Sequence, residues 1–433
     1  MSPLWRNWAG DQRCAPHSIE HPAGEAEVVE ALGRAADVGR SVRVAASGHS
    51  FTDIACTDGH MLSLDRMDAV LDSDADTGLV RVQSGITLSK LGRELSERGL
   101  AMENQGDIDA QQLGGAISTA THGTGLRFPN LSAQVAALRL VTAAGEVLDL
   151  SADSDPDAFL AARVGLGALG VITEVTLQAV PRFVIHRVDE RRPLDETLAA
   201  LESLAEESDH FEFYAFPYSD RAFTRTSERR EGGEPEPESA LLAFVREGLL
   251  ENRVVDLAGR VGRALPGSVP QLNRRLAALV GRSVKTDYSY RVYASRREVR
   301  FTEMEYAIPR AAGAEAVHRV LDMVERRELP ITFPLEVRVT APDDAFLSTA
   351  HGRETCYVAV HAYRGTEFES YFRGVEAIMG EYGGRPHWGK RHYQTAASLR
   401  ERYPQWDRFQ AVRSRLDPTG LFRNDYTDRV LGR

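Results

Sequence analysis

The sequence predicts an α+β protein with two domains, and three observations carry this prediction. The chain has 433 residues, which is more than one small hydrophobic core holds. Helix-like and strand-like patterns alternate irregularly up to about residue 180, so mixed sheets are expected there. Beyond Pro181, strand-like runs are separated by amphipathic helical patterns, which favours an antiparallel sheet with helices on one face. The expected division is 1–182, 183–384 and a closing segment 385–433.

The elements of the first region follow from periodicity and capping signals. A helix is expected from Glu25 to Arg40, and another from Thr87 to Arg98 with Thr87 as N-cap and Gly99 at its C-terminal end. The pattern from Val135 to Leu150 predicts a β-hairpin. Further strands are expected at Val42–Ala46, Met61–Leu64, Leu79–Val82 and Val171–Leu177. No G-x-G-x-x-G follows the first strand, which argues against a doubly wound dinucleotide-binding fold.

The second region has longer strand-like runs. Strands are expected at Phe211–Phe216, Phe301–Ile308, Phe333–Thr340 and Cys356–Tyr363, and helices at Ala314–Arg327 and Tyr371–Tyr382. The acidic, Pro-containing stretch Glu231–Glu238 predicts a surface loop. Leu241–Val280 is expected to be helical with a break at Pro266-Gly267.

Composition excludes several classes of function. The net charge of -11 argues against a nucleic-acid partner, and no apolar run is long enough to predict a membrane span. The N-terminus lacks the apolar core of a signal peptide. The three scattered cysteines, Cys14, Cys56 and Cys356, form neither a disulfide framework nor a zinc pattern. A cytoplasmic protein without a metal site is therefore expected.

A glycine-framed histidine is the most informative local feature. The turn Ser47-Gly48-His49-Ser50 follows the apolar run that ends at Ala46. A strand that ends in such a turn presents backbone N–H groups, which suit a phosphate, and the histidine adds a nucleophilic imidazole. Taken alone, an incidental histidine in a strand-end turn is the more common situation.

A second feature is the run from Gln111 to Gly125, which is dense in glycine, serine and threonine. Small residues let backbone approach a ligand closely, although a tightly packed loop would have the same composition. His122 within it is either a core histidine or a ligand contact. The turn Asn104-Gln105-Gly106-Asp107 comes just before this run.

Two further features carry charge. Strand alternation sends Glu336 and Arg338 to one face, where they form either a surface ion pair or the polar floor of a site. The segment His387-Trp388-Gly389-Lys390 is either an exposed aromatic–basic loop or the source of a fixed positive charge for a developing anion.

The order of these segments, together with Gly167–Thr173 and the closing Asn424-Asp425-Tyr426, resembles the vanillyl-alcohol-oxidase-type flavoproteins with a PCMH-type FAD-binding domain. The resemblance runs from Trp5 to Tyr426 and is greatest to the aldonolactone oxidase and dehydrogenase branch. It implies an FAD-binding domain over 1–182, a substrate-binding cap domain over 183–384, and a segment 385–433 that completes the active site and returns to the first domain.

The resemblance also implies roles for individual residues. FAD would be held by the strand-end turn, the Gly-rich run and neighbouring positions, and covalently by His49. The cofactor-binding set is Val44, Ala45, Ser47, Gly48, His49, Ser50, Gly106, Asp107, Gly115, Ser118, Thr121, His122, Gly123, Gly125, Ile172 and His387. Glu336, Arg338 and Lys390 would be catalytic and, with Gln112, would contact substrate.

The activity implied is oxidation of a sugar-acid 1,4-lactone at its C2 hydroxyl by hydride transfer to the flavin. The electrons would pass to O2, giving H2O2, or to another acceptor such as a cytochrome or quinone. An alditol oxidase acting on xylitol or sorbitol at C1 is the alternative. Gln112 stands where alditol oxidases carry serine, which favours the lactone branch, and Gly106 leaves room for O2 beside the flavin.

Overall fold

The chain folds around three main β-sheets, of three, five and eight strands. The computed structural model describes residues 3–236, 253–279, 281–295 and 297–433. The strands are β1 Trp5–Arg6, β2 Arg13–Cys14, β3 Ser18–Glu20, β4 Val42–Val44, β5 His60–Leu62, β6 Val70–Ser73, β7 Leu79–Gln83, β8 Leu100–Ala101, β9 Val135–Val141, β10 Val147–Ser151, β11 Val171–Gln178, β12 Val180–Pro181, β13 Phe183–Pro193, β14 His210–Ala215, β15 Arg221–Glu231, β16 Ser283–Tyr288, β17 Phe301–Pro309, β18 Leu335–Thr340, β19 Thr355–Tyr363 and β20 Arg385–Pro386.

Helices connect and cover these strands. They are α1 Glu25–Asp37, α2 Leu88–Glu97, α3 Leu113–Ser118, α4 Pro156–Ala162, α5 Leu194–Ala199, α6 Leu201–Glu206, α7 Val255–Ala264, α8 Val269–Leu279, α9 Ser289–Tyr293, α10 Gly313–Arg326, α11 Glu369–Glu381, α12 Ala396–Arg400, α13 Trp406–Leu416 and α14 Asp425–Leu431. Among the described residues, no helix has the length and apolar content needed to cross a bilayer.

The first region contains the predicted mixture of sheets. Strands β3, β5 and β4 form a parallel sheet, and β10-β9-β11-β7-β6 form an antiparallel one. The predicted hairpin is the β9–β10 pair, with Gly145 at φ +77° in its turn. Thr87 caps α2 by accepting from the Lys90 amide, and Gly99 follows at φ +74°.

Buried Arg43 ties two segments of this region to the closing segment of the chain. Its guanidinium donates to the carbonyl oxygens of Ile54, Leu166, Gly167 and Phe422 at 2.8–3.0 Å. These bonds satisfy a charge that burial would otherwise make costly, since burial lowers the pKa of Arg43 to about 10. They fix β4, and with it the start of the His49 turn.

The second region is built on the predicted antiparallel sheet, in the order β16-β13-β15-β14-β18-β19-β17-β20. Helices α10 and α11 cover one face, with a core that includes Phe213, Val337 and Val358. The sequence predicted helices on one face of this sheet only. In the structure, α7 packs on the opposite face. There Gly259 and Gly262 let α7 approach so closely that an added Cβ would clash with Tyr363 and Thr332.

Four strands of this sheet, β13, β15, β16 and the two-residue β20, were not predicted. In the first three, charged residues obscure the alternation, as in Arg191-Arg192 and Glu228-Arg229-Arg230. The predicted acidic loop lies partly outside the described residues, since Glu231 ends β15 and 237–238 are not described. The predicted helical stretch is present as α7 and α8 with its break at Pro266, while 241–252 and 280 lie outside the described part of the chain.

The closing segment contributes to both regions. Strand β20 joins the edge of the eight-stranded sheet beside β17. Beyond it, Trp388, Phe409 and Tyr426 pack into the core of the first region. The segment therefore brings residues 387–390 to the junction between the two regions.

Candidate active site

Two adjoining cavities meet at the His49 turn. The first has a volume of about 1050 Å³ and lies between β4 and the segments 111–119 and 162–172. The second has a volume of about 1410 Å³ and lies over the eight-stranded sheet. His49, Ser50, Gln111 and Thr119 line both. Two adjoining concave sites with shared lining residues suit a cofactor site that opens into a substrate site.

The wall of the first cavity is made of backbone and small side chains. It includes Ser47, Gly48, Gly115 and Ser118, together with Gly165, Gly167 and Gly170. Gly48 has φ +69°, a conformation that side chains disfavour, and a Cβ there would lie 3.2 Å from the Trp5 ring. Within the described chain, the backbone amides of 46–50 donate no hydrogen bond to another residue.

These features fit the pyrophosphate of FAD. Consecutive unpaired N–H groups at a strand end are the donors that such an anion requires. Arg43 is the only charged side chain among the described residues lining this cavity, and its guanidinium is already bonded to carbonyls. The anion's charge would therefore be met by backbone amides. Val44, Gln112 and Ile172 also line this cavity.

His49 is partly buried and uncharged at neutral pH. Its ring stacks on Trp8, with ring centroids 5.3 Å apart and 22° between the planes. Burial, and then the nearby Arg300, lower the pKa of His49 to about 4. Arg300 is itself held by Trp8, because it donates to the Trp8 carbonyl and lies 4.4 Å from the centre of its ring. The imidazole is thus held neutral, with a nitrogen lone pair available for bonding.

The residues predicted to bind the cofactor between Gly106 and Gly125 lie at different places in the structure. Gly106, Asp107, Thr121 and His122 line the second cavity. Gly123 lies behind it, in a small polar cavity beside Asn104 and Glu212. Gly125 lines neither main cavity, and its amide donates to Val339 O across 2.7 Å. The run therefore joins the first region to β18.

Ala45 and Gln112 also differ from their expected positions. Ala45 is buried and lines neither cavity, because its amide donates to Leu62 O within the parallel sheet. Gln112, expected beside substrate, lines the first cavity only, whereas its neighbour Gln111 lines both.

The floor of the second cavity is one face of the eight-stranded sheet. Glu336 and Arg338 share that face as predicted, and they form a buried ion pair instead of a surface pair. Arg338 also donates to Glu212 Oε2 across 2.8 Å and lies 3.6 Å from Asp107. Burial raises the pKa of Glu336 to about 7, with the charges of Asp107 and Glu212 adding to the rise that Arg338 opposes.

Lys390 lies at the same floor, between two buried carboxylates. Its Nζ donates to Glu303 Oε1 across 2.6 Å and lies 2.9 Å from Glu305 Oε2. Burial alone would lower the pKa of Lys390, but these two carboxylates outweigh it and raise that pKa. Lys390 is therefore a fixed cation at the wall of the second cavity.

Two histidines adjoin this group. His122 Nε2 lies 3.2 Å from Glu305 Oε2, and its ring stacks on Tyr357. His387 also lines the cavity, and burial lowers its pKa to about 3. His122, Glu305 and His387 could offer ligand atoms to a metal ion, but the Lys390 ammonium already neutralises the carboxylate that such an ion would need.

Several titratable residues of the site escaped the sequence analysis. They are Glu212, Arg297, Glu303, Glu305 and His361. Glu303 and Glu305 are two positions apart in the predicted strand from Phe301, so they share one face of it. Glu212 lies in the predicted strand from Phe211, as a charged residue between two apolar ones. The same alternation that singled out Glu336 and Arg338 could have found these three carboxylates. Arg297 carries no such signal, because it lies in a connecting segment.

Comparisons with known proteins agree with this architecture. Residues 16–151 match the FAD binding domain family, and residues 175–430 match the D-arabinono-1,4-lactone oxidase family. The solved structure of a solvent-stable cholesterol oxidase superposes with a TM-score of 0.85 at 20% identity, covering 99% of this chain and 97% of that one. This likeness confirms the predicted PCMH-type fold.

Curated relatives span the full length. The chain is 58% identical over 432 residues to L-gulono-1,4-lactone dehydrogenase of Mycobacterium tuberculosis, with 100% of each chain covered. It is 35% identical to L-gulonolactone oxidase of Bos taurus, with 98% of each covered, and 30% identical to an alditol oxidase of Streptomyces, with 100% of each covered. The chain therefore belongs to the D-arabinono-1,4-lactone oxidase family of FAD-dependent lactone oxidases and dehydrogenases.

Proposed function

We propose that this enzyme oxidises L-gulono-1,4-lactone or D-arabinono-1,4-lactone at the C2 hydroxyl and gives an ascorbate-type product. The observation that carries the proposal is the junction at His49, where the first cavity opens onto a floor that holds two fixed cations, Arg338 and Lys390. The lactone names of the two relatives with the higher identities support the same substrate class over a polyol.

We assign a separate role to each of the three parts of the chain. In this proposal 1–182 binds FAD, 183–384 forms the cap that holds substrate, and 385–433 completes the site with His387 and Lys390. Bound FAD supplies the two-electron acceptor for the hydrogen at C2. The unpaired amides of 46–50 and the small residues around Gly115 would hold it.

The charged floor is proposed to stabilise the negative charge that develops on the C2 oxygen. Lys390 and Arg338 remain cationic because each is bonded to buried carboxylates. A fixed donor of this kind typically contributes about 3–4 kcal/mol to lowering a barrier. Glu336 orients Arg338 and accepts a hydrogen bond from a substrate hydroxyl.

We further propose that FAD is attached covalently through His49. The neutral ring, its stack against Trp8 and its place at the junction of the cavities support this role. A covalent link prevents loss of the cofactor and tends to raise its potential, which favours oxidation of an alcohol.

The acceptor of the electrons is proposed to be O2 or a redox partner such as a quinone or cytochrome. Gly106 supports access of O2, because it lines the second cavity without a side chain that would fill it. An added Cβ at this position would lie 3.0 Å from the His122 carbonyl oxygen. We place the enzyme in the cytoplasm because its three cysteines, Cys14, Cys56 and Cys356, are free thiols.

The test is anaerobic mixing of the purified yellow protein with candidate substrates. We expect L-gulono-1,4-lactone or D-arabinono-1,4-lactone to bleach the flavin absorbance, while xylitol and sorbitol leave it unchanged. Bleaching by the polyols alone would reject the lactone assignment. Readmitting air, or adding cytochrome c or a soluble quinone, then identifies the acceptor by the return of absorbance.

A further inference from the structure

The segment that leads into β3 runs alongside the segment that leads into β5. The two strands are parallel with Ser18 opposite His60, an offset of 42 positions. The same offset holds just before them, because the His17 amide donates to Gly59 O across 2.8 Å. Residues that precede β3 and β5 by equal numbers of positions are therefore neighbours in space.

This register brings two cysteines together. Cys14 lies four positions before Ser18, and Cys56 lies four positions before His60. Directly opposite residues on neighbouring strands lie about 4.8 Å apart, within the range of about 4.4–6.8 Å that a disulfide requires between its Cα atoms. The side chains also face each other, since the Cys56 thiol is hydrogen-bonded to the Cys14 thiol. The pair is therefore in position to form a bond.

The two thiols differ in their surroundings. Cys14 lies opposite Trp5 in the β1–β2 pair, so it shares the face on which Trp5 lines the first cavity. Both cysteines are free and only partly buried, which leaves them open to a small reagent. Burial, and then the neighbouring Cys14, raise the pKa of Cys56 to about 12. Cys56 is thus a poor first nucleophile, and attack on an external reagent falls to Cys14.

The pair joins two segments that flank the His49 turn. The β1–β2 hairpin carries Trp8, whose ring stacks on His49 and whose amide donates to Gly48 O across 2.7 Å. The loop that ends at Cys56 is fixed from the closing segment, because Asn424 Nδ2 donates to Cys56 O across 2.9 Å. Positions 52, 54 and 55 of this loop line the first cavity. A bond between the cysteines would therefore tie the hairpin to a fixed loop at the cofactor site.

We propose that Cys14 and Cys56 form a reversible disulfide, with a low-molecular-weight disulfide such as oxidised glutathione as the oxidant, and that this bond locks the β1–β2 hairpin onto the His49 turn. The Cys14 thiolate attacks one sulfur of the oxidant, which forms a mixed disulfide and releases one glutathione.

The second step closes the protein disulfide. The Cys56 sulfur, once its proton has left, attacks the Cys14 sulfur and releases the second glutathione. The two protein thiols are oxidised, the external disulfide is reduced to two thiols, and the two protons end on the glutathione sulfurs. In a reducing compartment such a bond is transient, so it follows the redox state of the cell. The proposal does not depend on which substrate the enzyme oxidises.

The experiment is incubation of the holoenzyme in glutathione buffers of defined potential, followed by alkylation, tryptic digestion and mass spectrometry. In oxidising buffer we expect the peptides 14–34 and 44–66 to be linked, and dithiothreitol should separate them again. Amide hydrogen exchange within 5–14 should be slower in the oxidised protein, on the order of tenfold or more, because local opening of the hairpin is then restricted.

Single variants separate the two steps. Cys56→Ser should stop after the first step and keep glutathione on Cys14. Cys14→Ser should form no link and carry no glutathione on Cys56. Cys356→Ala is the matched control, because Cys356 is buried in the core of the second region and its removal should leave the link unchanged.

Three results would overturn the proposal. They are the absence of linked peptides in fully oxidised glutathione, glutathione retained on Cys14 of the parent without a link, and hairpin exchange that does not change on oxidation. Bleaching by lactone should persist in every variant under reducing conditions, so its loss there would count against the proposed function instead.

Discussion

Arg338 on β18 lies directly opposite Glu212 on β14, and its Nε donates to Glu212 Oε2 across 2.8 Å with both side chains less than a tenth exposed. The same register continues outward. Glu212 faces Arg225 on β15, Arg225 faces Asp189 on β13, and Asp189 faces Ser283 on β16. Bonds of 2.7–3.0 Å join each pair. Arg338 is thus the inner end of a row of four alternating charges on four strands, and the row ends at the Ser283 hydroxyl on a fifth strand.

Glu212→Gln should slow lactone-driven flavin reduction, although Glu212 does not itself contact substrate. The amide keeps the shape but removes the charge that orients Arg338, which we expect to cost about 2 kcal/mol, or some tens-fold in the rate of lactone-driven flavin reduction. Removing this negative neighbour should also lower the pKa of Glu336. The pH profile of the reduction rate should therefore move to lower pH. A fall in thermal stability with an unmoved profile would show that Glu212 is only structural.

Lys390→Met should abolish flavin reduction while FAD stays bound. The substitution keeps a similar length but removes the cation, and a missing donor of this kind lowers a rate on the order of 10²–10³-fold. Glu303 and Glu305 would then face each other without their shared ammonium, so the pKa of the pair should rise. Stopped-flow reduction under anaerobic conditions measures the effect, with Lys285→Met as the control because Lys285 lies on the edge strand β16. A rate within threefold of the parent would reject the role given to Lys390.

Glu336 should make stability depend on pH. Its pKa rises from the ordinary 4.5 to about 7 in the folded protein, so the folded state holds this proton more tightly than the unfolded state does. The resulting stabilisation is fully present below about pH 4.5 and is lost as pH rises through 7, at a scale of about 3 kcal/mol. Glu336→Gln lacks this titration. We expect urea unfolding to show the variant gaining stability relative to the parent between about pH 5 and pH 8, and a constant difference would contradict the raised pKa.

Local patterns in the sequence predicted the parts of the fold that depend on near neighbours. The α2 cap, the β9–β10 hairpin and the shared face of Glu336 and Arg338 each follow from residues a few positions apart. The turn at His49 could be found in the same way. Such features need only periodicity, capping and turn chemistry.

The partners that give these residues their properties are distant in the chain. Glu212 is 126 residues from Arg338, and Glu303 is 87 residues from Lys390. Only sheet topology brings them together, so no local pattern predicts that Arg338 and Lys390 are fixed by buried carboxylates. The same holds for Trp8, whose stack against His49 depends on the path of the N-terminal segment.

His49→Ala should separate covalent attachment from binding. The amides of 46–50 and the wall around Gly115 remain in the variant, so we expect it to purify with FAD that acid precipitation releases. The parent should instead keep yellow, flavin-fluorescent protein in the acid pellet. Ser47→Ala is the matched control, because the exposed Ser47 side chain belongs to the same turn and leaves the imidazole in place. Acid-stable flavin in His49→Ala, or its absence from the parent, would show that the link does not form through this histidine. Because the link tends to raise the flavin potential, the variant should also be reduced by lactone more slowly than the parent.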